Sequence, residues 1–127
     1  MNEPGATAMT HQYRAEDFAD LPRKALEALG VWVCWKPEFG SVAVQFSLSS
    51  GDGRILLLPS NAAALLIGMV QQRCDVFFVY EVDERRSAAD LLLVGAEEGS
   101  VGDSGTHRGF SPLSAVLSAY AAALEAQ

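Results

Sequence analysis

The most regular pattern in the chain is the alternation of apolar with small or polar residues over positions 41–48, SVAVQFSL. Every second residue of this segment is a valine, a phenylalanine or a leucine, which predicts a half-buried antiparallel strand. The runs VWVCWK at 31–36 and RILLL at 54–58 are rich in β-branched, aromatic or aliphatic residues, which favour neighbouring strands. Turn-forming glycine, proline, serine and aspartate separate the three runs, at 37–40 and 50–53.

The segment that follows, PSNAAALLIGMVQQRCDVFFVYEV at 59–82, predicts a helix that runs directly into a strand. It predicts a helix capped by Ser60, whose hydroxyl can accept a bond from an unpaired backbone N–H. The stretch Ala62–Val70 contains no charged residue, so we expect this helix to be buried in the domain or in a partner. A strand is predicted over 76–82, and it is apolar on both faces until Glu81.

The first helical pattern spans 13–29 and is interrupted by Pro22, a residue that fits the first turn of a helix but not its interior. Two interpretations follow: a short turn over 15–20 and then a helix over 22–29, or one kinked helix. Gly30 is placed to end either of them in a left-handed conformation.

The remaining part of the chain predicts a charged hairpin loop at 83–89 and a fifth strand over 90–96. The segment 97–109 holds several glycines and charges without a hydrophobic period, and we expect a mobile loop or lid there. The last helix begins at Ser111 and Pro112, and its apolar residues recur at helical spacing.

The predicted order of elements is α-β-β-β-α-β-β-α. Sequential strands usually pair, so we expect an α+β two-layer domain with a five-stranded, mostly antiparallel sheet and three helices. The domain would span 13–127, after a flexible N-terminal tail at 1–12. A chain of 127 residues of which half are hydrophobic suits one domain with a real core.

Sixteen acidic residues against nine basic ones set the formal net charge at −7. This balance disfavours nucleic acid and anionic membrane surfaces as partners, since both require lysine and arginine. The first fourteen residues have no basic region and no apolar core, and no apolar run reaches about 18 residues. We therefore expect no signal peptide, no membrane span and a cytoplasmic location.

Few residues offer chemistry. Cys34 and Cys74 lie in apolar surroundings without a metal-ligand spacing, which favours buried thiols, with a disulfide as the alternative in a secreted protein. His107 has hydroxyl and carboxyl neighbours, yet it lies in a segment that we expect to be flexible. The glycines at 99, 102 and 105 lack the lysine of a phosphate-binding loop. The sequence thus predicts no catalytic residue, no metal site and no cofactor.

Two features indicate protein binding. Trp32 and Trp35 fall on opposite faces of the first strand, and Phe77 and Phe78 on opposite faces of the fourth, so helices on one side of the sheet cannot cover both sets. Acidic residues are concentrated over 81–103, where seven carboxylates accompany only two arginines. Such a surface can steer a basic protein partner.

The main hypothesis is a small, acidic, non-catalytic protein that binds one dedicated partner, as an immunity protein or an effector chaperone does. The alternatives are a small enzyme or ligand-binding domain with a pocket under the 97–109 loop, or a homodimeric structural subunit. The predicted partner-binding residues combine exposed aromatic side chains with the acidic region: Trp32, Trp35, Phe77, Glu81, Glu84, Glu97, Glu98 and Asp103.

Overall fold

The computed structural model describes residues 11–36, 40–48 and 51–125. In this part of the chain a short 3-10 helix, Ala15–Phe18, precedes three α-helices and six strands. The helices are α1 (Arg23–Leu29), α2 (Pro59–Gln71) and α3 (Pro112–Glu125). The strands are β1 (Val31–Lys36), β2 (Ser41–Leu48), β3 (Gly51–Leu57), β4 (Cys74–Asp83), β5 (Arg86–Leu93) and β6 (Asp103–Gly109).

The six strands form two antiparallel sheets of three strands each. Sheet A has the order β1-β2-β3, with Val44 of its central strand between Val33 and Ile55. Sheet B has the order β4-β5-β6, with Ala89 between Val79 and His107. The α+β class, the three helices and the antiparallel pairing agree with the prediction. The single five-stranded sheet does not form, because the chain makes a sixth strand and divides the six into two sheets.

The unpredicted strand is β6, which lies where we expected a mobile loop. Its sequence, DSGTHRG, has no apolar alternation. An edge strand can nevertheless form, because its backbone bonds to the neighbouring strand do not require apolar side chains. The turns that precede β6 are closed by hydrogen bonds, among them Ser100 N to Glu97 O at 3.0 Å and Leu93 N to Gly102 O at 3.0 Å.

The N-terminal helical region adopts the first of the two predicted interpretations. The 3-10 helix ends before Pro22, and α1 begins immediately after it. Gly30 follows α1 with a φ of 74° and a ψ of 30°, the left-handed conformation that glycine adopts without steric cost. Residues 1–10 of the predicted tail lie outside the described residues, as do residues 37–39 and 50 of the predicted turns.

Helix α2 starts two residues earlier than a Ser60 cap predicts. Leu58 occupies the N-cap position in an extended conformation, and Pro59 begins the helix. Ser60 therefore lies inside the first turn, and no side chain caps this helix. Ala63, Leu66 and Val70 are buried on one side, whereas Ala64 is exposed on the other, so the expected burial on every side is not observed.

The core is centred on α3. Eight of its fourteen residues are buried, and its side chains belong to one hydrophobic cluster with the inner faces of both sheets, α1 and α2. The largest fully buried side chains include Leu66 of α2, Leu91 of β5, and Leu113 and Leu117 of α3. Burying a leucine contributes about 1.5–3 kcal/mol, so this cluster is what holds the two sheets to one another.

Among the described residues, no helix combines the length and the apolar character needed to cross a bilayer.

Candidate protein-binding surface

Strand β4 exposes seven of its ten residues, and the other three, Cys74, Phe77 and Val79, are half-buried. None of its ten residues is buried, although seven of them are apolar or aromatic. The strand lies at the edge of sheet B, where β5 is its only strand neighbour in the described part of the chain. Natural sheets usually protect such an edge, because its free backbone groups can pair with another chain.

The outer face of β4 carries four exposed side chains, which we name the β4 stripe: Val76, Phe78, Tyr80 and Val82. Phe78 is 62 % exposed and Tyr80 is 48 % exposed. Residues of a strand that are two positions apart point to the same face, so Val76, Phe78 and Tyr80 form one apolar row in the regular part of the ladder, and the exposed Val82 follows at the register shift. An exposed row of this kind is typical of an interaction surface rather than of a monomer's solvated face.

The predicted binding residue Phe77 points the other way, and its side chain packs partly buried against the core. Its register partner is the buried Leu91, whereas the partner of Phe78 is Asp90. Phe78 is therefore the aromatic residue that this strand presents to solvent. The β4 stripe was visible in the sequence as an apolar residue at every second position from 76 to 82. The sequence did not show whether these side chains point to the core or to solvent.

A groove of about 360 Å³ adjoins the β4 stripe on the outer face of sheet B. Val76, Phe78 and Leu92 contribute its apolar wall. Three carboxylates also line the groove, Asp90, Glu98 and Asp103, and we name them the acidic rim. The structure thus brings the predicted residues Glu98 and Asp103 together next to β4.

Asp103 is held by the backbone of the preceding turns and of β6. Its carboxylate accepts hydrogen bonds from Gly99 N at 2.7 Å and from Gly105 N at 3.0 Å. These two bonds lower the pKa of Asp103 below its ordinary value. The carboxylate is therefore ionised at neutral pH. The Thr106 hydroxyl donates to the Asp90 carboxylate at 3.4 Å.

The predicted acidic residues Glu81 and Glu84 lie at the other end of β4, near the β4–β5 turn. There Arg86 donates to the Asp83 carboxylate from Nη2 and Nε, at 2.6 and 2.9 Å, and these bonds lower the pKa of Asp83. A second cleft, of about 270 Å³, opens between this turn and the N-terminal segment at His11. Glu97 is exposed in the turns before β6.

The tryptophans belong to sheet A and not to this surface. Trp32 lies on the outer face of β1 with 53 % of its side chain exposed, and the Arg23 guanidinium is 5.8 Å from its ring centroid. Trp35 is 37 % exposed and faces the same side as Val33, whose side chain packs against the core. The predicted binding residues therefore divide between two different sheets.

His107 and Cys74 make structural contacts, whereas Cys34 is exposed. A ring nitrogen of His107 lies 2.8 Å from the Ser104 carbonyl, to which it donates. The Cys74 thiol donates to the Val70 carbonyl at 3.3 Å, and burial, with Asp75 nearby, raises its pKa to about 11. Cys34 is exposed, and neither cysteine forms a disulfide. Within residues 11–36, 40–48 and 51–125, no three His, Cys, Asp or Glu side chains come together as metal ligands.

Comparisons of this chain with protein-family models, with curated proteins and with solved structures find no match.

Proposed function

We propose that this chain is a non-catalytic protein-binding module that holds a dedicated, basic protein partner on the outer face of sheet B. The observation that carries the proposal is the exposed outer face of β4, an apolar edge strand in which none of the ten residues is fully buried. A domain that can bury Leu66 and Leu117 completely has the means to cover such a strand, yet leaves it open. A partner that covers β4 accounts for this.

The apolar area supports the proposal in magnitude. An aromatic side chain has about 150–250 Å² to bury, so the exposed fractions of Phe78 and Tyr80 together amount to about 200 Å². At about 25 cal/mol per Å², covering them contributes about 5 kcal/mol. Association costs about 4–15 kcal/mol in lost freedom, so the partner must also contact the groove or the edge of β4.

The charges favour a basic partner. Asp90, Glu98 and Asp103 line the groove. The nearest arginine in the register of sheet B is Arg108 of β6, which pairs with Ala88 of β5, and Ala88 in turn pairs with Tyr80 of β4. Complementary charge at the rim of an interface acts mainly on the rate of association. It acts over a screening length of about 8 Å at physiological ionic strength, so its effect decreases with salt.

Site-specific crosslinking tests the location of the partner. Phe78→p-benzoylphenylalanine is expressed in the native cell, with Leu56→p-benzoylphenylalanine on the outer face of sheet A as the matched control, since Leu56 is 59 % exposed. We expect a discrete adduct with a second polypeptide from position 78 only. That polypeptide, once identified and purified, should bind the wild-type chain at least tenfold more tightly than Phe78→Ser.

The purified pair also tests the charge argument. Glu98→Gln should slow association at low salt and approach the wild-type rate at high salt, whereas Glu16→Gln in the 3-10 helix should leave the rate unchanged. Equal rates for the two variants would show that the acidic rim is only solvated. An adduct of twice the chain's own mass would instead identify a homodimer, and the absence of any adduct would contradict the proposal.

One observation favours a second candidate, a ligand-binding domain. The groove is walled in part by Glu98, Asp103 and Gly105, which belong to the segment predicted to cover a pocket. Its carboxylates would select a small cationic ligand with an apolar part. A screen of such amines by thermal shift, repeated with Glu98→Gln, distinguishes this function: a stabilisation that depends on Glu98 supports it.

A further inference from the structure

We propose that a pocket between the 3-10 helix, α1 and β1, which we name the α1 pocket, binds a free α-amino acid with an apolar side chain of about the size of leucine or phenylalanine. The site lies beside sheet A, so the inference goes beyond the proposed function and does not depend on it. The α1 pocket has a volume of about 140 Å³. A cavity of about 150 Å³ lined by Leu, Ile and Phe side chains takes up benzene, so this pocket admits one group of that size.

Most of the α1 pocket is lined by apolar side chains. Phe18 and Val31 are buried, and Leu21, Leu26 and Val33 are half-buried and pack against the core. An apolar group that enters the pocket removes part of this surface, and its own surface, from water. The lining therefore favours a ligand with an apolar side chain.

The α1 pocket follows the open edge of β1. Val31, Trp32 and Val33 all line it, although successive side chains of a strand point to opposite faces, which places the pocket along the edge of the strand. In the described part of the chain β2 is the only strand beside β1, and an antiparallel strand directs the N–H and C=O groups of alternate residues to one side. The groups on the other side face the pocket, and among the described residues none of them bonds to another element.

Two opposite charges also line the α1 pocket. Arg23 and Glu27 lie one turn apart in α1, and both are exposed. The Arg23 guanidinium is 5.8 Å from the Trp32 ring centroid, a cation–π distance that keeps it beside β1. Residues four apart in a helix can form an ion pair, yet within the described part of the chain neither Arg23 nor Glu27 forms one. Both charges are therefore available to a ligand.

An α-amino acid carries the complementary charges on a single carbon atom. Its carboxylate can accept from the Arg23 guanidinium, whose donors suit carboxylate geometry, and its ammonium group can donate to the Glu27 carboxylate. The backbone groups at the edge of β1 offer further hydrogen bonds. A carboxylic acid without the ammonium group would approach Glu27 with like charge, and an amine without the carboxylate would approach Arg23 with like charge. The charges thus favour the zwitterion, with its side chain in the apolar part of the pocket.

The probe is L-leucine, added to the full ¹⁵N-labelled chain and followed by NMR at the amides of 31–33 and at the Trp32 indole N–H. N-acetylleucine lacks the ammonium charge, leucinamide lacks the carboxylate and glycine lacks the side chain. We expect saturable binding of leucine and of phenylalanine at millimolar concentration. Each of the three control compounds should bind at least about tenfold more weakly than leucine, because each loses one of the contacts.

Matched variants test the residues of the α1 pocket. Arg23→Gln should weaken leucine binding at least about tenfold, whereas Lys24→Gln, which removes the adjacent exposed cation outside the pocket, should leave binding unchanged. Ala19→Leu should abolish binding by filling the pocket, whereas Ala28→Leu, at an exposed position of α1 outside the pocket, should not. The four substituted residues are exposed, so the variants should keep the fold, and thermal melts check this.

Three results would overturn the proposal: no chemical-shift change at 31–33 with millimolar leucine, equal binding of leucine and its two derivatives, or equal effects of Arg23→Gln and Lys24→Gln. Shifts confined to the groove on sheet B would also contradict it, because leucine would then occupy a different site.

Discussion

The hydroxyl of Ser104 replaces a backbone acceptor at the point where β6 bulges away from β5, and its removal should destabilise the protein measurably. The register between β5 and β6 shifts between Asp90 and Leu92, which leaves Leu91 N without a partner in the ladder. Leu91 N donates instead to Ser104 Oγ at 2.8 Å, and that hydroxyl donates to Gly105 O at 2.6 Å. Ser104 is only 9 % exposed, so water has little access to these groups.

Ser104→Ala leaves the Leu91 amide buried and unpaired, which costs about 1–3 kcal/mol of unfolding free energy. Unfolding entropy is about 2.1 cal/mol/K per residue, or about 0.27 kcal/mol/K for 127 residues. Each kcal/mol therefore lowers Tm by about 4 °C, and the variant should melt about 4–11 °C below the wild type. Because Ser104 follows Asp103, the variant should also accelerate hydrogen exchange in the turns that hold the acidic rim.

Urea denaturation and calorimetry measure the change, with Ser60→Ala as the matched control. Ser60 is exposed in the first turn of α2, and no side chain caps that helix, so the control should remain within about 0.5 kcal/mol of the wild type. An unchanged urea m-value would show that both variants unfold from the same compact state. Equal stabilities of Ser104→Ala and Ser60→Ala would refute the argument, since the Leu91 amide would then have found another partner.

Three further predictions concern backbone packing and pH. Gly109→Ala should destabilise by more than about 1 kcal/mol in urea titrations, because its Cβ would collide with the Ser114 hydroxyl at the start of α3, and a wild-type midpoint would contradict this. Gly68→Ala should stabilise by about 0.5–1 kcal/mol in the same assay, since no heavy atom lies within 4 Å of the added Cβ in α2. The Tyr13 hydroxyl, which accepts from Leu113 N at 3.1 Å, has its pKa raised to about 12 by burial. The folded state thus keeps this proton to higher pH than the unfolded chain. The contribution of the protonated Tyr13 hydroxyl to the free energy of unfolding is therefore complete below pH 10 and is lost between about pH 10 and 12. Tyr13→Phe should reduce that loss of stability in pH-dependent melts.

The sequence anticipated the elements that depend on local chemistry. Pro22 separates the 3-10 helix from α1 because a proline lacks the N–H that a helix interior requires, and Gly30 ends α1 because it adopts a positive φ. The alternation over 41–48 became β2, with Val42 and Val44 fully buried. By contrast, β6 could not be anticipated, since a strand built from glycine and polar residues is specified by its partner and not by its own composition.

The candidate site was predicted only in part. The acidic region was visible as composition, and the structure places Glu98 and Asp103 at one groove because the turns before β6 fold back toward β4. The aromatic pairs were visible as excess apolar surface, but Trp32 belongs to a different sheet from β4. No local pattern encodes the division into two sheets. This division separates the tryptophans of β1 from the phenylalanines of β4.

The face of β4 that points outward was decided by tertiary structure alone. Its sequence, VFFVYEV from position 76, is apolar in both phases until Glu81, so hydrophobic periodicity predicts that a strand forms but not its orientation. Packing against the core around α3 selects Phe77 and Val79 for the inner face and leaves Phe78 and Tyr80 exposed. Local propensity acts through each residue's own backbone and neighbours, whereas the side of a strand that is buried depends on contacts with residues distant in the chain.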